Sequence, residues 1–81
     1  MTVEMLIQMI AALRRAGRDG ATVKSLSESL GVSLKTVRRS IEEMAELGVP
    51  LLYEEVEHNA KVYSLRSRDI IDWIHRMSKE G

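Results

Sequence analysis

Apolar residues recur along this chain at helical spacing, give way to two short β-prone runs, and then return to helical spacing. Val3, Leu6, Ile7, Ile10 and Leu13 predict a first helix that Thr2 can cap, and Met5 and Met9 widen its apolar face. Arg14 and Arg15 suit the negative end of its dipole, and Gly17 stops it. Arg18, Asp19 and Gly20 are turn chemistry, and Ala21-Thr22 predicts a single strand bridge. A second helix follows, capped by Thr22, with Val23, Leu26 and Leu30 facing inward and Ser27 small where two helices must approach closely. Gly31 closes it and Val32 drops into the core at the turn. Ser33 caps a third helix, in which Val37, Ile41 and Met44 form one stripe with Leu34 and Ala45 at its margins. Gly48 and Pro50 end that helix.

Residues 49–53 and 61–65 are apolar and β-prone, and between them His58-Asn59 is the best two-residue turn. That turn pairs Leu52 with Leu65; a shift of one residue pairs Glu54 with Leu65, and the pattern does not choose. Ser67 is placed to cap a last helix, with Asp69 near its start. Its apolar stripe is Ile70, Trp73, Ile74 and Met77, with Asp72, His75, Arg76 and Lys79 outward. The order is helix, helix, helix, hairpin, helix. It predicts an α+β, mainly α fold: a winged helix-turn-helix of three helices and a two-stranded wing, with an added C-terminal helix. One domain, 1–81, is expected, with the helix-turn-helix over 22–47, the wing over 49–65 and the last helix over 67–79.

The third helix carries the candidate chemistry. At about 100° per residue, Lys35 and Arg39 point away from its apolar stripe, with Thr36 and Arg38 on the flanks. An Arg there can reach guanine with two hydrogen bonds, and Lys or Thr can reach a base or a phosphate. The plainer alternative is a solvated face on which Arg38–Glu42 and Arg39–Glu43 satisfy one another. Such pairs contribute only about 0.2–0.5 kcal/mol, less than the roughly 1–3 kcal/mol of a bidentate base contact.

Net charge is zero over 81 residues, which alone argues weakly against nucleic acid, but the charges are in blocks. Arg14, Arg15, Arg18, Lys24, Lys35, Arg38 and Arg39 stand against only Asp19 and Glu28. Then come Glu42, Glu43, Glu46, Glu54, Glu55 and Glu57 with no base among them. The basic block coincides with the helix-turn-helix. Absence of cysteine excludes thiolate metal sites, and His58 and His75 stand apart, so no metal or cofactor is expected. His75 lies between Asp72 and Ser78, but one helix turn supplies neither an oxyanion hole nor a cleft, and no enzyme is read. No apolar run approaches the roughly 18–20 residues of a membrane span. Glu4 stands where a secretory leader carries Lys or Arg, so a cytoplasmic protein is expected.

Four segments now in hand, L-x-x-x-L-G-V-S (26–33), T-V-R-R-S-I (36–41), E-L-G-V-P (46–50) and Y-S-L (63–65), occur in order. In these the chain resembles the N-terminal winged-helix domain of the biotin-operon repressor and of WYL-domain regulators, over residues 22–65. The resemblance implies sequence-specific binding of double-stranded DNA, with the helix from Ser33 in the major groove. It assigns base or phosphate contacts to Ser33, Lys35, Thr36, Arg38 and Arg39, and contacts near the second helix start to Thr22 and Lys24. The wing departs from that family, carrying Glu54, Glu55 and Glu57 where Gly and basic residues are usual, and only Lys61 supports wing contact. Leu34 stands where a polar residue is common; it either packs inward or touches a thymine methyl.

Two functions are therefore expected in order. The first is a DNA-binding transcription regulator, paired as a homodimer through the first and last helices, with Ile70, Trp73, Ile74 and Met77 as the seam. The second is a winged-helix protein-interaction module whose acidic surface, from Glu42 to Glu57, binds or blocks a basic partner protein.

Overall fold

Local capping starts and stops each of the first three helices. The computed structural model describes residues 1–57 and 60–80. Helix α1 (Val3–Ala16) begins where the Met5 N–H donates to Thr2 Oγ1, and it ends at Gly17. A single 3-10 turn, Gly17–Asp19, leads to Ala21. Helix α2 (Val23–Leu30) opens with a reciprocal cap: the Ser25 N–H donates to Thr22 Oγ1 (3.0 Å) and the Thr22 N–H donates to Ser25 Oγ (2.9 Å). Helix α3 (Leu34–Glu46) starts from Ser33. It ends in a Schellman turn, with the Val49 N–H donating to Met44 O and the Gly48 N–H to Ala45 O.

Between α2 and α3, Ser27 does more than make room. Its hydroxyl donates to Val32 O, while its own carbonyl accepts from Gly31 and Val32. One side chain thus ties the turn between the two helices, which the expected role of a small residue had not included.

Met9, Leu13, Leu26, Val37 and Met44 are fully buried and place the three helices against one another. Burying such a side chain is worth about 1.5–3 kcal/mol, more than the roughly 1 kcal/mol of a cap, so packing decides the arrangement. It also narrows the expected face of α1. Leu6, Ile10 and Leu13 pack inward with Met5 and Met9, whereas Val3 and Ile7 are 73% and 61% exposed. The buried side extends instead over small Ala12 and Ala16.

The wing begins later than expected. β1 is Leu52–Glu55 and β2 is Lys61–Ser64, antiparallel. The Val49 N–H is taken by the α3 terminus and Pro50 has no N–H, so the strand ladder starts only beyond them. Neither expected register is adopted: Leu52 pairs with Ser64 and Glu54 with Val62. The expected turn at His58-Asn59 lies outside the described residues. At the wing's base the Ala21 N–H donates to Tyr63 O (2.7 Å) and the Tyr63 N–H to Ala21 O (2.8 Å), which ties β2 to the helical body. That bridge is the one anticipated at Ala21-Thr22.

Helix α4 (Ser67–Glu80) includes Ser67 rather than being capped by it, since the Ile70 N–H donates to Arg66 O. The Ser67 hydroxyl instead accepts from Arg14 Nη2 at 3.3 Å, joining the end of α1 to the start of α4. Only the front of the expected stripe is covered. Ile70 is buried and Trp73 packs on the core, its Nε1 donating to Leu47 O at 3.4 Å. From Ile74 to Lys79 every residue is exposed, and the molecule is elongated, 40 × 23 × 20 Å. Among the described residues no helix is long and apolar enough to cross a membrane.

Candidate nucleic-acid interface

The exposed front of α3 is presented by its buried stripe. With Val37 and Met44 fully buried and Ile41 packed on the core, helix geometry turns Lys35 and Arg39 to the opposite face, and both are exposed. Arg38 and Thr36 flank them and are exposed too. Ser33 fixes the tip. Its Oγ accepts from the Thr36 N–H (3.1 Å) and the two hydroxyls share a hydrogen bond of 2.9 Å, which leaves one O–H proton between them for an outside acceptor.

The solvated-face alternative required Arg38–Glu42 and Arg39–Glu43 pairs. Among the described residues neither forms; Glu43 instead pairs with the amino group of Met1. Leu34 resolves outward, 42% exposed at the start of α3.

Thr22, Lys24, Arg38 and Lys61 meet around a depression of about 550 Å³ between the start of α2, the flank of α3 and the wing. Val23, Ile41 and Tyr63 contribute its apolar part, and Glu42 is the acid within it. Arg38 and Lys61 are far apart in sequence, and the Ala21 bridge that sets the wing is what brings them to one place. Lys61 Nζ also lies 5.0 Å from the centroid of the Tyr53 ring. At an exposed site that contact is worth about 0.5–1 kcal/mol, too little to withhold the ammonium from an anion.

The eight sequence-predicted contact residues therefore fall into two groups. Ser33, Lys35, Thr36 and Arg39 occupy the tip and outer face of α3; Thr22, Lys24, Arg38 and Lys61 line the depression beside it. Glu54, Glu55 and Glu57 are exposed on the wing. Among the described residues no group of His, Asp or Glu is arranged to hold a metal ion. Ser25, which completes the cap of α2, and Ser27, which ties the turn to α3, were missed as functional supports. The short S/T-x-x spacing from Thr22 to Ser25 is the signal that could have found the first.

No curated protein and no solved structure matches the chain. A family model described as an HTH domain matches residues 6–71 of the 81, from within α1 through the wing to the first turn of α4. With helix, bridge, helix-turn-helix, hairpin and helix in that order, the fold is a winged helix-turn-helix, and the chain belongs to the HTH-domain family of DNA-binding domains.

Proposed function

We propose that this chain is a sequence-specific regulator of transcription that acts in the cytoplasm as a homodimer, with α3 lying in the major groove of double-stranded DNA. One observation carries the reading: the front of α3 stands clear of the body, with Lys35, Thr36, Arg38 and Arg39 exposed and, among the described residues, in no ion pair. Lys35 and Arg39 read base edges, Leu34 touches a thymine methyl, and the depression group grips the backbone. The rival reading, an acidic protein-interaction module, has the zero net charge and the exposed wing carboxylates in its favour, but the family match is to a DNA-binding domain.

The test is selection of bound sequences from random duplex DNA, repeated with Arg39→Ala. A defined site is expected for the parent chain. The variant should lose discrimination at one base pair, a change of about 1–3 kcal/mol at that position. A parent chain that enriches no sequence would sink the reading.

Dimerisation rests on what α4 leaves uncovered. Ile70 and Trp73 serve their own core, but Ile71, Ile74 and Met77 are 52%, 50% and 46% exposed. Three large apolar side chains clustered on one helix mark an interaction surface, and pairing two reading helices about 34–36 Å apart multiplies the bases read. Sedimentation equilibrium should give a dimer for the parent chain and a folded monomer for Ile74→Glu. A parent chain that stays monomeric at high micromolar concentration would remove the seam.

A further inference from the structure

The wing has a second depression, on the sheet face turned away from α3, of about 880 Å³. The pairings Leu52↔Ser64 and Glu54↔Val62 put those four side chains on this face. Across from them stand Arg14, Arg18 and Asp19, from the end of α1 and the 3-10 turn, and Arg66 closes the side next to α4. Three guanidiniums and two carboxylates thus face one space, and among the described residues none of them is in an ion pair. Arg14 is held in place by its hydrogen bond to Ser67.

Each element of this surface matches a different part of one kind of ligand. Guanidiniums present forks of donors that suit phosphate oxygens. Carboxylates accept hydrogen bonds from sugar hydroxyls. Leu52 and Val62 offer an apolar wall for a flat base. The size lies within the roughly 300–1,000 Å³ of small-molecule sites. A duplex backbone fits less well, because Asp19 and Glu54 would repel its continuous row of phosphates. We propose that this depression binds a nucleoside phosphate, with its phosphates on Arg14, Arg18 and Arg66 and its sugar hydroxyls on Asp19 and Glu54. The site does not depend on the DNA-reading face, which lies on the other side of the wing.

Isothermal titration of the whole chain with ADP, inorganic pyrophosphate and adenosine tests it. One ADP per chain is expected, with weaker pyrophosphate and no detectable adenosine. Arg18→Ala and Arg66→Ala, both at exposed positions, should each weaken ADP about tenfold or more, while Arg38→Ala leaves it unchanged. Removing both carboxylates, with Asp19→Ala and Glu54→Ala, should shrink the preference for ADP over pyrophosphate. The proposal is overturned by the absence of saturable heat at millimolar ADP. It is equally overturned if ADP binding follows Arg38 rather than Arg18, which would place the nucleotide on the α3 side. A third contrary result is an Arg18→Ala variant that binds ADP normally but all duplexes more weakly, with a shallower salt slope; the depression would then be a DNA backbone contact.

Discussion

Gly20→Ala should unfold the domain at a temperature well below the parent chain. Gly20 has φ +74° and ψ −175°, a conformation open almost only to glycine. A methyl group there would stand 2.5 Å from Val62 Cγ1 and 2.7 Å from Tyr63 O. The latter atom is the one to which the Ala21 N–H donates, so the clash falls on the bridge that anchors the wing. Backbone strain of about 1–3 kcal/mol adds to an overpacking cost of about 1–3 kcal/mol. At roughly 4–8 °C per kcal/mol for a domain of this size, the midpoint should fall by about 8 °C or more. Gly31→Ala is the control: it also has positive φ, but nothing lies within 4 Å of its added methyl. Backbone strain alone should then cost it about 1 kcal/mol. Thermal melts followed by circular dichroism separate the two, and equal losses would mean that the bridge does not anchor the wing.

Removing the three cations of the α3-side depression together should abolish most of the salt sensitivity of DNA binding. Lys24, Arg38 and Lys61 line one surface and reach out from three different elements. If each neutralises one phosphate, Lys24→Ala, Arg38→Ala and Lys61→Ala combined make the slope of log affinity against log salt shallower by about 2–3 per bound chain. Near ~0.1 M salt the loss of affinity should be on the order of 10²–10³ per bound chain. Sequence preference should survive, because phosphates carry no base identity. Fluorescence anisotropy across a salt series reads both quantities. An unchanged slope would confine DNA contact to the tip of α3 and leave the acidic wing outside the complex.

The combination of these two variants bears on how the wing works. Its carboxylates, Glu54, Glu55 and Glu57, oppose phosphate, yet Lys61 is carried on the same hairpin and aimed at the depression beside Arg38. In the proposed complex the wing contributes through its base and Lys61. Gly20→Ala should therefore weaken DNA binding by displacing Lys61, even at temperatures where α3 remains folded.

The first three helices, their ends and the basic tip of α3 were determined by the sequence alone, because capping, glycine stops and 3.6-residue periodicity act within a few residues of one another. Thr22, Ser33 and Gly31 sit where those local rules put them, and so does the outward face of Lys35 and Arg39. Tertiary structure decided the rest. Which apolar side of α1 is buried depended on the shape of α2 and α3, so Val3 and Ile7 stayed outside. The wing's placement against the helices depended on Ala21, distant in sequence, which bonds Tyr63. The rear of α4 lies bare because no other element reaches it, and Arg14, Arg18 and Arg66 share a depression only because the chain returns to the end of α1 after the wing. Burial, the wing's placement and the grouping of distant charges are set by which surfaces meet, and a linear pattern does not contain that.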